Sequence, residues 1–100
     1  MIYCFDLDNT LCHTDGNDYQ NSIPIQERID VVNKLYDEGN TIWIDSARGG
    51  TSGINWLSHT RNQLTDWGVK FHKVRTGIKF NADIFVDDKA ISDKGFFGRN

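Results

Sequence analysis

The stretch MIYCFDLDNT, residues 1–10, decides the fold that we expect for this chain. Its first five residues are apolar at every position, which is typical of a strand buried on both faces in the centre of a parallel sheet. The apolar run ends at Asp6, and Asp8 follows two residues later. Because side chains alternate along an extended chain, both carboxylates are expected to face one pocket.

The first half of the chain continues with a loop, a helix and a strand. Residues 11–22 are polar and rich in turn-forming residues, so we expect a surface loop that shapes access to the strand end. From Pro24, apolar residues recur at helical spacing as far as Gly39, which predicts an amphipathic helix. Residues 41–44 predict a second buried strand.

The second half adds one helix and two short strands. A helix is predicted to begin within residues 52–55 and to end at Gly68, with its apolar side chains near one face. Residues 69–74 predict a third strand with the charged character of a protected sheet edge, and residues 84–86 predict a short fourth strand. This alternation predicts an α/β fold, a Rossmann-like doubly wound parallel sheet of about four strands with flanking helices.

The composition is that of an ordinary globular protein. The chain has 100 residues, of which 38% are hydrophobic and 25% charged, and a chain of this size forms one domain around one core. We therefore expect a single domain over residues 1–100. A chain of this length leaves no room for a second domain that would cover the substrate.

Charge, apolar runs and cysteine usage exclude several partners. The formal net charge of −3 argues against binding to an extended nucleic-acid duplex. No apolar run approaches the ~20 residues that span a bilayer, and the N-terminus lacks a signal-like pattern, so we expect a cytoplasmic protein without membrane partners. Cys4 and Cys12 form no CxxC pair, which suits a reducing compartment. We expect Cys4 to be buried and Cys12 to lack an activating partner.

Polar residues follow the predicted strands. Asp6 follows the first, Ser46 the second and the pair Asp87 and Asp88 the fourth. Because ligands of such folds bind beyond the carboxyl ends of the strands, we expect these residues to converge on one rim. On local grounds alone, Ser46 also fits a turn residue and the acidic pair a solvated turn.

The order of these motifs resembles that of the haloacid dehalogenase-like hydrolases. The resemblance rests on a DxDxT motif at residues 6–10, the strand-end Ser46, the later Lys79, and the acidic pair of Asp87 and Asp88, and it spans nearly the whole chain. It implies a magnesium-dependent phosphatase with the fold predicted above.

Two segments narrow this resemblance. Residues 46–49 read Ser-Ala-Arg-Gly, and residues 77–90 follow a GKPxxDxxIDDKA layout, similar to short, capless members of the family found around capsular or other sugar-phosphate metabolism. The family's Gly-Lys-Pro is Gly-Ile-Lys here. Lys79 is preferred as the family lysine because its spacing to Asp83 matches.

The resemblance implies a role for each catalytic residue. Asp6 would attack phosphorus and form an aspartyl-phosphate, which divides one difficult hydrolysis into two displacements. Asp8 would serve as general acid and base. Ser46 and Lys79 would bind the phosphate.

The resemblance also implies a metal site. Mg²⁺ is expected on Asp6, on Asp8 through its main-chain carbonyl, and on the pair Asp87 and Asp88, because magnesium prefers hard oxygen ligands. Which member of the acidic pair binds the metal directly stays open.

Without a cap, the segment of residues 11–22 is expected to influence which leaving group is accepted. We assign substrate selectivity to His13, Asp18, Tyr19 and Arg48, and expect a small phosphorylated substrate such as a sugar phosphate. Assembly into a homo-oligomer stays open.

Two other functions stay open on the sequence alone. A polynucleotide 3'-end phosphatase would use the same chemistry, and a modest basic cluster within residues 70–75 is its support. A receiver-like phosphoacceptor module shares the residue types, but receivers carry the acidic pair before the acceptor aspartate and have no counterpart of Asp8.

Overall fold

The computed structural model describes residues 1–50, 52–78 and 82–98. In chain order its elements are β1 (Ile2–Asp6), β2 (Cys12–His13), a 3-10 helix (Tyr19–Asn21), β3 (Ile23–Pro24), α1 (Gln26–Asp37), β4 (Thr41–Asp45), α2 (Leu57–Asp66), β5 (Lys73–Arg75) and α3 (Asp93–Phe97). Over the described residues the chain is thus a small α/β fold with three α-helices. None of these helices is long and apolar enough to cross a membrane.

The central feature is a parallel sheet with the strand order β1-β4-β5. Phe5 lies opposite Ile44, and Ile44 lies opposite Val74, so these buried residues share one face of the sheet. Ile29 of α1 and Leu64 of α2 join them in the same buried cluster. Burial of each such side chain contributes roughly 1.5–3 kcal/mol, so this face and the helices against it form the core.

The opposite face of the sheet is open in the part of the chain that the structure describes. Ile2 is 70% exposed and Cys4 is exposed. Trp43 is half-buried, with Lys73 Nζ and Arg75 Cζ lying 5.1 Å and 4.8 Å from its ring. The helices therefore pack on one face, and a doubly wound arrangement is not confirmed.

The position of β1 corrects two predictions. β1 is an edge strand of the described sheet, not a central strand. Its alternate side chains, including Cys4, point to the open face and are exposed, so the prediction that Cys4 is buried is wrong. An unbroken apolar pattern predicts burial on both faces, but only packing partners can supply it.

Residues 84–86 do not form the predicted fourth strand. Ile84 and Val86 are 78% and 95% exposed, and the segment joins no ladder in the described structure. An apolar run this short forms a strand only when a neighbouring strand supplies its hydrogen bonds. The described sheet accordingly has three strands, not four.

The segment of residues 11–22 is more ordered than the predicted surface loop. Cys12 pairs with Pro24 where β2 and β3 form a two-stranded antiparallel sheet, and Leu11 is completely buried. Pro24 therefore ends a strand, and α1 begins two residues later than its first apolar signal suggested.

The C-terminal ends of α1 and α2 were predicted correctly, whereas the start of α2 and the bounds of β5 differ from the prediction. Gly39 and Gly68 both have positive φ just after α1 and α2, as expected for left-handed helix ends. α2 begins at Leu57 instead of within residues 52–55. β5 is shorter than the predicted strand of residues 69–74 and shifted toward the C-terminus, while Val69 is buried in the core ahead of the strand.

Helix α3 has no counterpart among the predicted elements. Its start is capped by Ser92, whose hydroxyl accepts a hydrogen bond from the Gly95 amide. Phe96 and Phe97 place their rings 5.5 Å and 5.9 Å from the Phe5 ring. The helix thus covers the β1 end of the core.

An ion pair fastens α3 to α1. Arg28 Nη1 lies 2.8 Å from Asp93 Oδ2, and the same nitrogen donates to the Thr10 carbonyl at 3.0 Å. Arg28 is buried while the Asp93 side chain is 32% exposed. The hydrogen bond from Arg28 lowers the pKa of Asp93 below its ordinary value of 3.8.

Asp93→Asn should lower the free energy of unfolding by about 1 kcal/mol at pH 7. Because the folded-state pKa of Asp93 is depressed, the ion pair contributes its full stability above the unfolded value and loses it as the pH falls through the folded value. Urea unfolding at pH 7 and pH 3 should therefore show a difference between wild type and variant that shrinks in acid. Asp37→Asn, which removes the exposed pair between Asp37 and Lys70, is the control, and a difference for Asp93→Asn that persists unchanged at pH 3 would contradict this reading.

Candidate functional site

A tight turn follows β1 and sets the direction of the motif carboxylates. The Leu11 amide donates to the Leu7 carbonyl at 2.8 Å. Asn9 has a φ of 63°, a left-handed conformation in which asparagine is enriched among non-glycine residues. Its side-chain oxygen accepts a hydrogen bond from the Thr14 amide at 3.1 Å. The turn is thus closed by the backbone hydrogen bond between Leu11 and Leu7 and by the hydrogen bond from the Thr14 amide to the Asn9 side chain.

Asp6 and Asp8 both line a cleft of about 640 Å³ at the carboxyl end of β1. Leu7 between them is completely buried, so the predicted alternation holds. The Thr10 hydroxyl donates to Asp6 Oδ2 at 3.2 Å. The other walls of the cleft come from the segment of residues 11–22, the turn after β4, the residues before α2, and Ala82 and Phe85.

Asp8 is held by a buried arginine. Arg48 Nη2 donates to Asp8 Oδ1 at 2.7 Å, and Arg48 Nε donates to Oδ2 at 3.0 Å. The Thr14 hydroxyl donates to Oδ1 at 2.6 Å. Two-point pairing between guanidinium and carboxylate fixes both orientation and charge, so Asp8 has a defined position in the cleft wall.

Arg48 also connects Asp8 to the rest of the site. Its Nη1 donates to Gln63 Oε1 of α2 at 2.8 Å, and its guanidinium lies 4.6 Å from the Tyr19 ring. Gln63 Nε2 in turn donates to the Tyr19 carbonyl at 2.7 Å. Arg48 therefore borders the cleft, as a selectivity residue would, but the hydrogen bonds that it donates go to protein groups.

Ser46 serves the turn after β4. Its hydroxyl is buried and accepts a hydrogen bond from the Arg48 amide at 3.0 Å, and its own amide donates to the Arg75 carbonyl at 2.9 Å. Ser46 is not among the described residues that line the cleft. The Ser46 hydroxyl therefore helps to close this turn, and its phosphate-binding role stays a prediction.

Gly49 allows the turn after β4 to close. It has a φ of 83°, and a Cβ at this position would collide with the Ile54 carbonyl oxygen and crowd Trp56 Cδ1. A side chain here would push the turn away from the residues that precede α2. Gly49 is therefore a point of close approach between this turn and the residues before α2.

Gly49→Ala should destabilise the protein by about 2–4 kcal/mol, because backbone strain adds to the clash with Ile54. Gly53→Ala is the matched control, since Gly53 has a similar φ of 74° but nothing within 4 Å of an added Cβ. That control carries only the strain, about 1–2 kcal/mol. Denaturant unfolding of both variants measures the difference, and equal losses would show that the contact with Ile54 is immaterial.

The selectivity residues predicted from the sequence divide into two groups. Tyr19 is half-buried and lines the cleft. His13 lies exposed in β2, and Asp18 is exposed and accepts hydrogen bonds from the Asn21 side chain. The structure therefore brings Tyr19 and Arg48 to the cleft and leaves His13 and Asp18 outside its lining.

Asp87 and Asp88 are not among the described residues that line the cleft, although Phe85, two residues before Asp87, is. Asp87 and Asp88 are both exposed, and Asp87 Oδ1 accepts a hydrogen bond from the Lys89 amide at 2.8 Å. This bond lowers the pKa of Asp87 and is typical of a turn closed by an aspartate side chain. Lys79 lies outside the described residues, so the structure says nothing of its predicted role.

The carboxylates do not assemble into a metal site over residues 1–50, 52–78 and 82–98. Within these ranges no group of three or more His, Cys, Asp or Glu residues is arranged to hold a metal ion. Mg²⁺ binds through one or two carboxylates together with substrate phosphate and water, so Asp6 in the cleft suits it. Asp87 and Asp88 as further ligands stay a prediction.

Several residues of the site were not predicted from the sequence. Thr14 supports Asp8 directly and Gln63 supports it through Arg48, and Trp56 lines the cleft. Arg48 was assigned to the site from the sequence, but its pairing with Asp8 was not; the signal for that pairing was that a cation at the end of an apolar strand needs a carboxylate near the same sheet edge. Burial raises the pKa of the Cys12 thiol above its ordinary value.

Comparison with known proteins shows the fold and leaves the activity open. A structural-genomics target from Vibrio cholerae, known from a crystal structure, matches with a TM-score of 0.83 and 24% sequence identity, over 99% of this chain and 89% of that chain. Likeness at this identity concerns the fold alone. No family model matches the chain, and no curated protein matches it.

Proposed function

We propose that this protein is a phosphomonoester hydrolase in which Asp6 is the nucleophile. The observation that carries the proposal is that Asp6 and Asp8 face one cleft in different surroundings, Asp8 paired with a buried arginine and Asp6 beside the Thr10 hydroxyl. Neighbouring carboxylates in different environments are suited to different chemical roles. The resemblance to haloacid dehalogenase-like hydrolases supports the same assignment.

In the first step, an Asp6 carboxylate oxygen forms a bond to phosphorus while the bond from phosphorus to the ester oxygen breaks. The alcohol leaves after its oxygen takes a proton from Asp8. In the second step, water attacks phosphorus of the aspartyl-phosphate, and the bond to the Asp6 oxygen breaks and releases phosphate.

Asp8 supports both steps through one proton. The hydrogen bonds from Arg48 and Thr14 hold Asp8 as an acceptor, which is the form that takes a proton from water in the second step. The proton taken there is the one given to the leaving group of the next turnover. We assign Arg48 to keeping Asp8 in place during this cycle.

The proposal includes Mg²⁺, with Asp6 and the main-chain carbonyl of Asp8 as ligands in the cleft. When bound, the ion would offset the repulsion between the Asp6 carboxylate and the phosphate dianion. Ser46 and Lys79 as phosphate-binding residues, and Asp87 and Asp88 as further ligands, belong to the proposal as well. So do a small sugar phosphate as substrate and a cytoplasmic location.

The decisive experiment is hydrolysis of p-nitrophenyl phosphate by the purified protein. We expect phosphate release that a chelator abolishes and added Mg²⁺ restores. Absence of release at millimolar Mg²⁺, with a folded protein, would reject the proposed function.

Replacing both Asp87 and Asp88 by alanine should weaken Mg²⁺ binding about tenfold or more, because removal of supporting carboxylates typically has an effect of this size. Titration calorimetry measures the affinity. The double variant Asp37→Ala, Glu38→Ala removes another acidic pair and is the control. Unchanged affinity without Asp87 and Asp88 would place the metal on other residues.

The alternative of a polynucleotide-end phosphatase gains no support from the basic cluster. Lys70 Nζ pairs with Asp37 at 2.7 Å, and Arg75 pairs with Asp45 through two hydrogen bonds. Lys73 lies over Trp43 on the open face of the sheet. None of these three cations is among the described residues that line the cleft.

A further inference from the structure

The cleft has an aromatic wall beside the motif carboxylates. Tyr19 and Trp56 both line it, with their ring centroids 5.0 Å apart and their planes at 79°. Ile54 extends this wall with an apolar side chain. Neither ring belongs to the phosphoryl-transfer chemistry proposed above, so the wall is available to contact the part of a substrate that departs.

Both rings are held in place from behind. The His59 ring stands against Trp56 at 5.1 Å and 85°, while the Arg48 guanidinium lies 4.6 Å from the Tyr19 ring. Because Arg48 also pairs with Asp8, the same side chain supports the aromatic wall and the residue proposed as general acid and base. A rigid aromatic surface binds a flat or ring-shaped group with little loss of conformational entropy.

The charges in the cleft limit what the wall can bind. Among the described residues that line the cleft, those with charged side chains are Asp6, Asp8 and Arg48, and the charge of Arg48 is paired with Asp8. A second anionic group on the departing alcohol would therefore lie near the carboxylates of Asp6 and Asp8. The described lining offers it no cation that is not already paired. Like charges at such distances oppose binding.

We propose that Trp56 and Tyr19 form the leaving-group subsite and select phosphate monoesters whose alcohol is uncharged and carries a ring. The inference rests on the proposed function and adds the class of substrate and the residues that choose it. A pyranose and a nucleoside share this chemistry. Both present a ring to Trp56, and a single phosphate to Asp6.

The test uses pairs of substrates that differ in one property. Glucose 6-phosphate against sorbitol 6-phosphate compares a ring with an open chain, and sorbitol 6-phosphate against 6-phosphogluconate adds one negative charge. We expect kcat/KM to fall about tenfold when the ring is opened and about tenfold again when the carboxylate is added. Adenosine 5'-monophosphate distinguishes a nucleoside from a sugar as the source of the ring.

Variants connect the preference to the wall. Trp56→Ala should reduce the ratio of kcat/KM between glucose 6-phosphate and sorbitol 6-phosphate to about twofold or less, and Trp56→Phe should restore part of it. Trp43→Ala removes an indole from the open face of the sheet and should leave the preference as in wild type. A preference that survives in Trp56→Ala would overturn the inference.

Binding distinguishes failure of this inference from failure of the proposed function. If the wild type releases no phosphate from any ester, the proposed function fails, and calorimetry with Asp6→Asn still compares glucose 6-phosphate with sorbitol 6-phosphate. Equal affinities, or no binding of either, would overturn the subsite. Faster release from a 3'-phosphorylated oligonucleotide than from any monomer would also overturn it.

Discussion

Asp6→Asn should lower kcat for phosphate-ester hydrolysis by about 10⁴-fold or more, as expected when a covalent nucleophile is removed. Asparagine has nearly the same shape, and its side-chain oxygen can still accept the hydrogen bond that the Thr10 hydroxyl gives to Asp6. We therefore expect the fold to persist. The measurement is phosphate release at saturating substrate, with circular dichroism and denaturant unfolding to verify the fold.

Asp15→Asn is the matched control for that variant. Asp15 is an exposed carboxylate of the segment that borders the cleft, so its neutralisation changes the net charge equally. We expect turnover within about twofold of wild type for the control. Turnover by Asp6→Asn within tenfold of wild type would remove Asp6 as nucleophile.

Arg48→Met should reduce the free energy of unfolding by about 3 kcal/mol, toward the lower end of the range for breaking a buried ion pair. The Arg48 side chain is completely buried, whereas the Asp8 side chain is 21% exposed, so water would compensate part of the loss. Gln63 and Thr60 would lose a donor in the same variant. Urea unfolding at neutral pH measures the change.

Two further variants provide comparisons for the loss of stability expected in Arg48→Met. Lys70→Met removes an ion pair whose side chains are 48% and 58% exposed, and it should cost at most about 0.5 kcal/mol. Adding Asp8→Asn to Arg48→Met should recover part of the loss, because the unpaired carboxylate is then gone. A loss below about 1 kcal/mol for Arg48→Met would show that the pair is not a principal support of the site.

Much of the sheet and helix core follows from local patterns. Residues 41–44 form the predicted strand, although only Ile42 and Ile44 of these four are fully buried. The glycines that end α1 and α2 adopt the expected positive φ. Local steric preferences and side-chain periodicity act over a few residues, so a short stretch of sequence carries them. The two carboxylates of the DxD motif face one cleft for the same reason.

Burial of whole elements was less predictable. The apolar residues of β1 and those of 84–86 have similar patterns, yet Phe5 is buried and Val86 is 95% exposed. An apolar residue becomes buried only where another element packs against it. Such packing depends on the arrangement of distant segments, which no periodicity within the strand reports.

By itself, the sequence determined that Asp6 and Asp8 leave a parallel strand toward one cleft, because strand periodicity is local. Only the tertiary structure decided that Arg48, forty residues along the chain from Asp8, would pair with it, and that Trp56 would pack against Tyr19 in one wall of the cleft. Long-range packing decides which group pairs with a buried charge and which residue lies next to an aromatic ring. The packing that forms is one that leaves few buried polar groups unsatisfied. That choice depends on the whole fold at once, so the spacing of residues along the chain does not contain it.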